Sequence, residues 1–158
     1  MRMWLAALAL AACNTPGKAP SALVSHLEAG DTVHAAQFAY GFYSIEDKSW
    51  RWTGKQFIAV LAPPEGAASR TTSLSLALTA AESVFKRNPS VTVTCAVDGQ
   101  RLKPETYTAP GRYVLVRPIE HPLTAPSAQV MCVVDHTFTP GIDDTRELGI
   151  IVNSIGLI

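Results

Sequence analysis

Residues 73–79 read SLSLALT and residues 91–97 read VTVTCAV. In the first, Leu74, Leu76 and Leu78 alternate with Ser73, Ser75 and Ala77; in the second, Val91, Val93, Cys95 and Val97 alternate with Thr92, Thr94 and Ala96. In an extended chain successive side chains point to opposite faces, so each stretch predicts an antiparallel strand with one buried face. Four more strand-length runs rich in β-branched residues follow the same logic: QFIAVLA (56–62), YVLVRP (113–118), AQVMCVV (128–134) and LGIIVNSI (148–155). VHAAQFAYGF (33–42) is the expected first strand.

Turn-forming clusters separate these runs: APPEGAASR (62–70), KRNPS (86–90), APG (109–111) and TPGIDD (139–144). Asp98-Gly99 marks a tight hairpin, because both residues accept the positive φ angles such a turn demands. The one helical candidate, AAESVFKR (80–87), is about two turns long and fits a crossover between strands. The expectation is an all-β fold: an antiparallel two-sheet β-sandwich of about eight strands, jelly-roll or Greek-key-like, with one short crossover helix.

Composition narrows the function classes. The chain has 158 residues, 47% hydrophobic and 16% charged, which suits one packed domain. Thirteen basic residues balance thirteen acidic ones. With no basic field and no charge run, nucleic acid is not an expected partner.

The N-terminus, MRMWLAALALAAC (1–13), has one positive charge, an apolar run and then a cysteine. Such a run is too short to span a bilayer and reads as a secretory signal. Leu10-Ala11-Ala12-Cys13 matches the bacterial lipobox, so residues 1–12 are expected to be a signal peptide and Cys13 the acylated first residue of the mature chain. Residues 13–21, rich in Pro, Gly and small polar side chains, would tether a domain spanning 22–158. The expected location is the bacterial cell envelope, membrane-bound through acyl chains. Because Asn14 replaces the inner-membrane retention aspartate, the periplasmic face of the outer membrane is favoured over the inner membrane.

Cys95 and Cys132 each lie among apolar residues of a predicted strand. In an oxidising compartment they would form a disulfide, contributing on the order of 4 kcal/mol in the chain-entropy model. The alternative is two buried free thiols.

Enzyme motifs are missing. Ser154 lies in VNSIG without the glycine of a nucleophile elbow, and neither a paired-histidine nor a C-x-x-C spacing occurs. Asp143, Asp144 and Glu147 lack the spacing of a calcium loop. Asp135 and His136 are neighbours whose side chains should point to opposite faces. The expectation is a protein that is not an enzyme, with no catalytic residue, metal or cofactor.

The remaining signal is GFYSIEDKSWRWTGKQF (41–57), with Trp50 and Trp52 flanking Arg51. On a strand the two indoles share a face and Arg51 takes the other. Two readings stand. Trp50 and Trp52, stacked on an exposed face and extended by Tyr43 and Tyr40, would form a platform for sugar rings, with Arg51 or Glu46 bonding hydroxyls. Alternatively both indoles, Trp52 above all, fill the core, and Arg51 pairs with Glu147 or Glu46 to lock a structural corner. The corner is favoured.

GFYSIEDKSWRWT together with RELGIIVNSIGL (146–157) resembles a bacterial β-sandwich domain found at the C-termini of membrane glycosyltransferases and in small envelope proteins. The matching positions are Gly41, Phe42, Glu46, Trp50, Trp52, Arg146, Leu148, Gly149 and Ile155. The resemblance implies a carbohydrate-binding-like architecture over residues 33–158 and an association with polysaccharide-handling systems. It supplies no catalytic residues. This chain departs from the appended form in carrying a lipid-anchor signal in place of a transferase. The expected partner is a glycan or, alternatively, an envelope protein docked on an edge strand or loops.

Cys13→Ala is expected to abolish fatty-acid labelling of the chain and to move it from the membrane to the soluble fraction. Undiminished labelling of that variant would remove the anchor.

Overall fold

The computed structural model describes residues 21–158; the expected signal peptide, Cys13 and all but the last residue of the expected tether lie outside them. Ten strands form, every named pair antiparallel: β1 (His26–Glu28), β2 (Phe38–Glu46), β3 (Trp50–Leu61), β4 (Thr72–Ala80), β5 (Val91–Val97), β6 (Gln100–Arg101), β7 (Glu105–Tyr107), β8 (Gly111–Ile119), β9 (Ala128–Val134) and β10 (Ile151–Leu157). The all-β sandwich expected from the alternating runs is the fold observed.

The strands fall into two layers that share β3. Its first residues pair with β10, Arg51 opposite Val152 and Trp52 opposite Ile151. Its second half, Gln56–Leu61, pairs with β9 instead. One layer therefore runs β8-β4-β10 and continues to β1 and the start of β3. The other runs from β6 and β7 through β5, β9 and the end of β3 to β2.

The alternation written in the sequence becomes the core. Leu74, Leu76 and Leu78 from the first layer face Val91, Val93, Phe57, Val130 and Val134 from the second, all at most 1% exposed. Burial of this apolar area is the main favourable term in the fold. Cys95 and Cys132 lie opposite one another in the β5–β9 register and are joined in a disulfide, S–S 2.05 Å.

The two layers are also tied on the side away from β3. Tyr107 on β7 stacks on Tyr113 of β8 with ring centroids 4.3 Å apart, and Arg117 of β8 forms an ion pair with Glu105 of β7. Burial, with Tyr113 beside it, pushes the Tyr107 phenol up to about 12.

Local differences from the sequence reading have identifiable causes. The first strand is the short β1, and β2 starts later than expected. Between them the Asp31 carboxylate accepts the N–H groups of Val33 and His34, which turns the chain into a 3-10 turn at Ala35–Gln37. The crossover helix α1 is a single turn, Glu82–Phe85. Asn88 caps it by donating to the Val84 carbonyl at 3.0 Å, and Pro89 follows.

Where β3 changes partners the backbones crowd. A Cβ on Gly41, whose φ is +72°, would lie 1.9 Å from the Gln56 carbonyl oxygen, and one on Gly149 would lie 2.8 Å from that of Gly54. Gly99 in the hairpin has φ +83° but nothing within 4 Å. Gly99→Ala is thus expected to cost about 1 kcal/mol, the left-handed backbone penalty alone. Gly41→Ala adds a backbone collision and is expected to cost at least about 2 kcal/mol more. Denaturant midpoints of the two variants check the ordering; equal losses would contradict the crowded crossing.

Candidate functional site

The parity of β3 decides which side chains any ligand can meet. Phe57, Ala59 and Leu61 face inward, and so do Thr53 and Arg51 before the change of partners, while Lys55 between the two stretches is exposed. Trp50 and Trp52 therefore lie on the outer face, half-buried. This corrects both earlier roles of Arg51, which neither offers itself to a ligand nor pairs with Glu46 or Glu147. Its Nε donates to the Ala29 carbonyl at 2.8 Å, its Nη1 donates to the Tyr43 carbonyl at 3.1 Å, and its guanidinium lies 4.6 Å from the centre of the Phe38 ring. Burial lowers its pKa from the ordinary value.

The local cause is a bulge. Phe42 opposes Thr53 and Ile45 opposes Arg51, so β2 spends one residue more than β3 over this interval. Arg51 supplies a hydrogen bond to the Tyr43 carbonyl inside that irregular segment. Thr53, fully buried, does similar work one step along: its hydroxyl donates to the Ile150 carbonyl at 3.1 Å and lies 3.3 Å from the Ile150 N–H. The sequence signal for this parity was weak, because both faces of FIAVL are apolar.

Trp52 is likewise not a core residue, and the two indoles are not a flat platform. They meet edge-on, centroids 6.2 Å apart and planes at 84°, and Trp52 packs edge-on against Phe138 at 5.5 Å. The arm that carries Phe138 is held to the sheet by Leu148, through a pair of backbone hydrogen bonds of 2.8 and 2.9 Å.

The two motif segments, around residues 46 and 146, do meet, through a different arginine. Arg146 donates to Glu46 at 2.9 Å and to Asp144 at 2.7 and 2.9 Å, with its guanidinium 5.3 Å from the Tyr43 ring centre. These bonds hold the Asp144 carboxyl below the usual carboxylate range and raise the Arg146 pKa. Tyr43 donates its hydroxyl to the Glu147 carbonyl at 3.0 Å, while the Glu147 carboxylate accepts the Thr137 hydroxyl at 2.8 Å. Of the four candidate ligand residues, Tyr43, Glu46 and Trp50 share this outer surface, with Glu46 directly opposite Trp50. Arg51 is withdrawn from it.

Beside that cluster is an open cleft of about 560 Å³ over the crossing point of β3. Tyr40, Tyr43, Lys55, Gln56 and Glu147 contribute its side-chain chemistry, over a floor that includes Gly41 and Gly54. Tyr40 is 61% exposed. It was legible only as an extension of the tryptophan pair, because the bulges of β2 hide its face from a period-two reading. A second hollow of about 390 Å³ lies across β9, lined among others by Thr94, Arg101 and Met131, and Val133 borders both. Arg101 was readable from the Asp98-Gly99 turn, which fixes Ala96 opposite Arg101.

Among the described residues no group of three or more His, Cys, Asp or Glu side chains is placed to hold a metal ion. Asp135 and His136, expected to diverge, approach to 3.2 Å, since they lie past the end of β9 where alternation no longer holds.

No protein-family model and no curated protein matches the chain. Among solved structures it is similar to the C-terminal domain of EclA, described as a sugar-binding protein, with 10% identity, TM-score 0.49, and 73% of this chain and 82% of that one covered. It is also similar to a family 35 carbohydrate-binding module from an environmental isolate, with 16% identity, TM-score 0.43 and 89% of both chains covered. An exo-β-1,3-galactanase from Phanerochaete chrysosporium has 11% identity and TM-score 0.46, with 87% of this chain but only 29% of that one covered. At TM-scores below 0.5 these likenesses carry no argument about ligand, and the fold stands on the strand register.

Arg51→Met is expected to cost about 2–4 kcal/mol, because two carbonyls lose their donor in a buried setting. In a double-mutant cycle with Glu46→Gln the two losses should add to within about 0.5 kcal/mol. Strong coupling between Arg51 and Glu46 in denaturant unfolding would restore the ion pair that the geometry excludes.

Proposed function

We propose that this protein is a non-enzymatic carbohydrate-binding domain of the bacterial envelope. It is carried on lipid at Cys13 and faces the periplasm from the outer membrane, where it serves polysaccharide assembly or surface interaction. The observation that carries the reading is Tyr40, 61% exposed at the cleft that also holds Lys55, Gln56 and Glu147. An exposed phenol ring packs against the C–H face of a sugar, and amide, ammonium and carboxylate groups beside it suit hydroxyls. That mixture of an aromatic surface with a few placed polar groups is the usual make-up of a small-ligand site. The arrangement suits binding rather than hydrolysis, because a glycosidase generally needs two carboxyl groups facing each other across the bond. Among the described residues lining the cleft, Glu147 is the one carboxylate.

A second reading has its own observation. Strand β8 ends the first layer, pairs with β4 alone among the described strands, and exposes Val114 at 66% and Val116 at 44%. An edge with apolar side chains favours a protein partner.

On an array of bacterial envelope and plant glycans the full chain is expected to bind at least one linear glycan, and Tyr40→Ala to weaken that binding roughly tenfold or more. A blank array would overturn the carbohydrate reading and leave the β8 edge as the leading surface.

A further inference from the structure

The register of the second layer places five outward-facing residues side by side: Arg101 on β6, Ala96 on β5, Met131 on β9, Ile58 on β3 and Tyr40 on β2. They form one row at right angles to the strands. With about 4.8 Å between neighbouring strands, its four gaps span about 19 Å. A parallel row beside it runs Thr94, Val133 and Gln56, again partners in register. The first row has an apolar middle, a phenol at one end and a guanidinium at the other. The second offers a hydroxyl and an amide. The Gln56 side chain is drawn along the sheet by a 3.3 Å contact from its Nε2 to the Met131 sulfur, so it sits between the two hollows.

We infer that these rows form one continuous trough in which a linear oligosaccharide lies across the strands, bound along several rings of its interior rather than at a terminal sugar. This rests on the carbohydrate reading above and extends it from the Tyr40 cleft to Arg101. Three features support the extent. The hollow beside Arg101 and the Tyr40 cleft share Val133, so the surface is not interrupted by β9. The length exceeds that of one sugar ring. The two rows match the two chemistries of a pyranose chain: C–H faces pack on Met131, Ile58 and Tyr40, while hydroxyls reach Thr94, Gln56 and Arg101.

The carboxylates at the margin of the trough each hold a local donor and keep further lone pairs for hydroxyls. Asp135 accepts the Thr92 N–H at 2.7 Å, and Glu147 accepts the Thr137 hydroxyl. Arg101 makes none of the ion pairs found among the described residues, which leaves its donors for the ligand.

The test is calorimetric titration of the full chain with β-1,3-glucan, β-1,4-glucan and β-1,4-linked N-acetylglucosamine series, monomer to hexamer, and with the series of any further glycan that binds on the array. Affinity is expected to rise from dimer to tetramer by roughly tenfold or more. Arg101→Ala and Met131→Ala should each lower tetramer affinity several-fold, and Arg101→Ala, at the far end of the row from Tyr40, should lower dimer affinity by a clearly smaller factor than Met131→Ala does; both residues are solvent-facing, so the fold should tolerate them. If affinity levels off at the dimer and Arg101→Ala has no effect, while Tyr40→Ala still weakens binding, the trough is wrong and the carbohydrate reading survives. If no oligomer of any series binds, both fall.

Discussion

Strand β3 has to serve two sheets, and that constraint organises the rest of the molecule. A strand that changes neighbours partway along leaves ladder hydrogen bonds unmade at the change, and buried backbone groups are costly to leave unpaired. Here the change falls between Thr53 and Gln56. Two of the buried polar side chains of the domain, Arg51 and Thr53, spend their hydrogen bonds on backbone groups around it. Gly41 and Gly149 allow the neighbouring chains to come close enough for the sheets to part without opening a gap. A buried guanidinium with carbonyl partners and no carboxylate looks anomalous as an electrostatic device. As a repair of a broken ladder it is consistent with its surroundings.

The sequence carried much of this and missed it for definable reasons. The layers were legible wherever one face was clearly apolar: SLSLALT and VTVTCAV buried the faces their patterns demanded, and Asp98-Gly99 turned where expected. Strand β3 defeated the same logic because Phe57, Ile58, Ala59, Val60 and Leu61 are apolar on both faces, and size alone argued for burying tryptophan over arginine. Bulges in β2 then scrambled the face of each aromatic residue between Phe38 and Ile45. The sequence also suggested that an arginine would lock the corner around residues 41–53 to the last strand, and it named Arg51 where Arg146 makes the ion pair. Arg146 had been noted only as a matching position, and the meeting of positions 46 and 146 is a tertiary fact that no local pattern encodes.

The aromatic residues divide by role once the parity of β3 is known. Phe38, Phe42 and Phe57 form an edge-to-face chain inside the sandwich, with centroids 4.9 and 5.2 Å apart. Trp50, Trp52 and Phe138 form a second one between the outer face of β3 and the arm that leads into β10, where Phe138 also touches the core. Tyr40 belongs to neither, and its isolation is what marks it: a large ring with most of its surface in solvent contributes little to folding and is free to serve recognition.

Gln37 gives the domain a particular mechanical behaviour. Buried at the end of the 3-10 turn, its amide oxygen accepts the Val24 N–H at 2.9 Å, while its amide nitrogen donates to the carbonyls of Val24 at 3.0 Å and Val60 at 2.7 Å. One side chain thus grips both backbone groups of Val24 and fastens them to β3. A pull applied to the chain at residue 21 meets this clamp before it reaches the three-residue strand β1. The load passes into the strand common to both sheets, and the edge of the sandwich is spared from peeling.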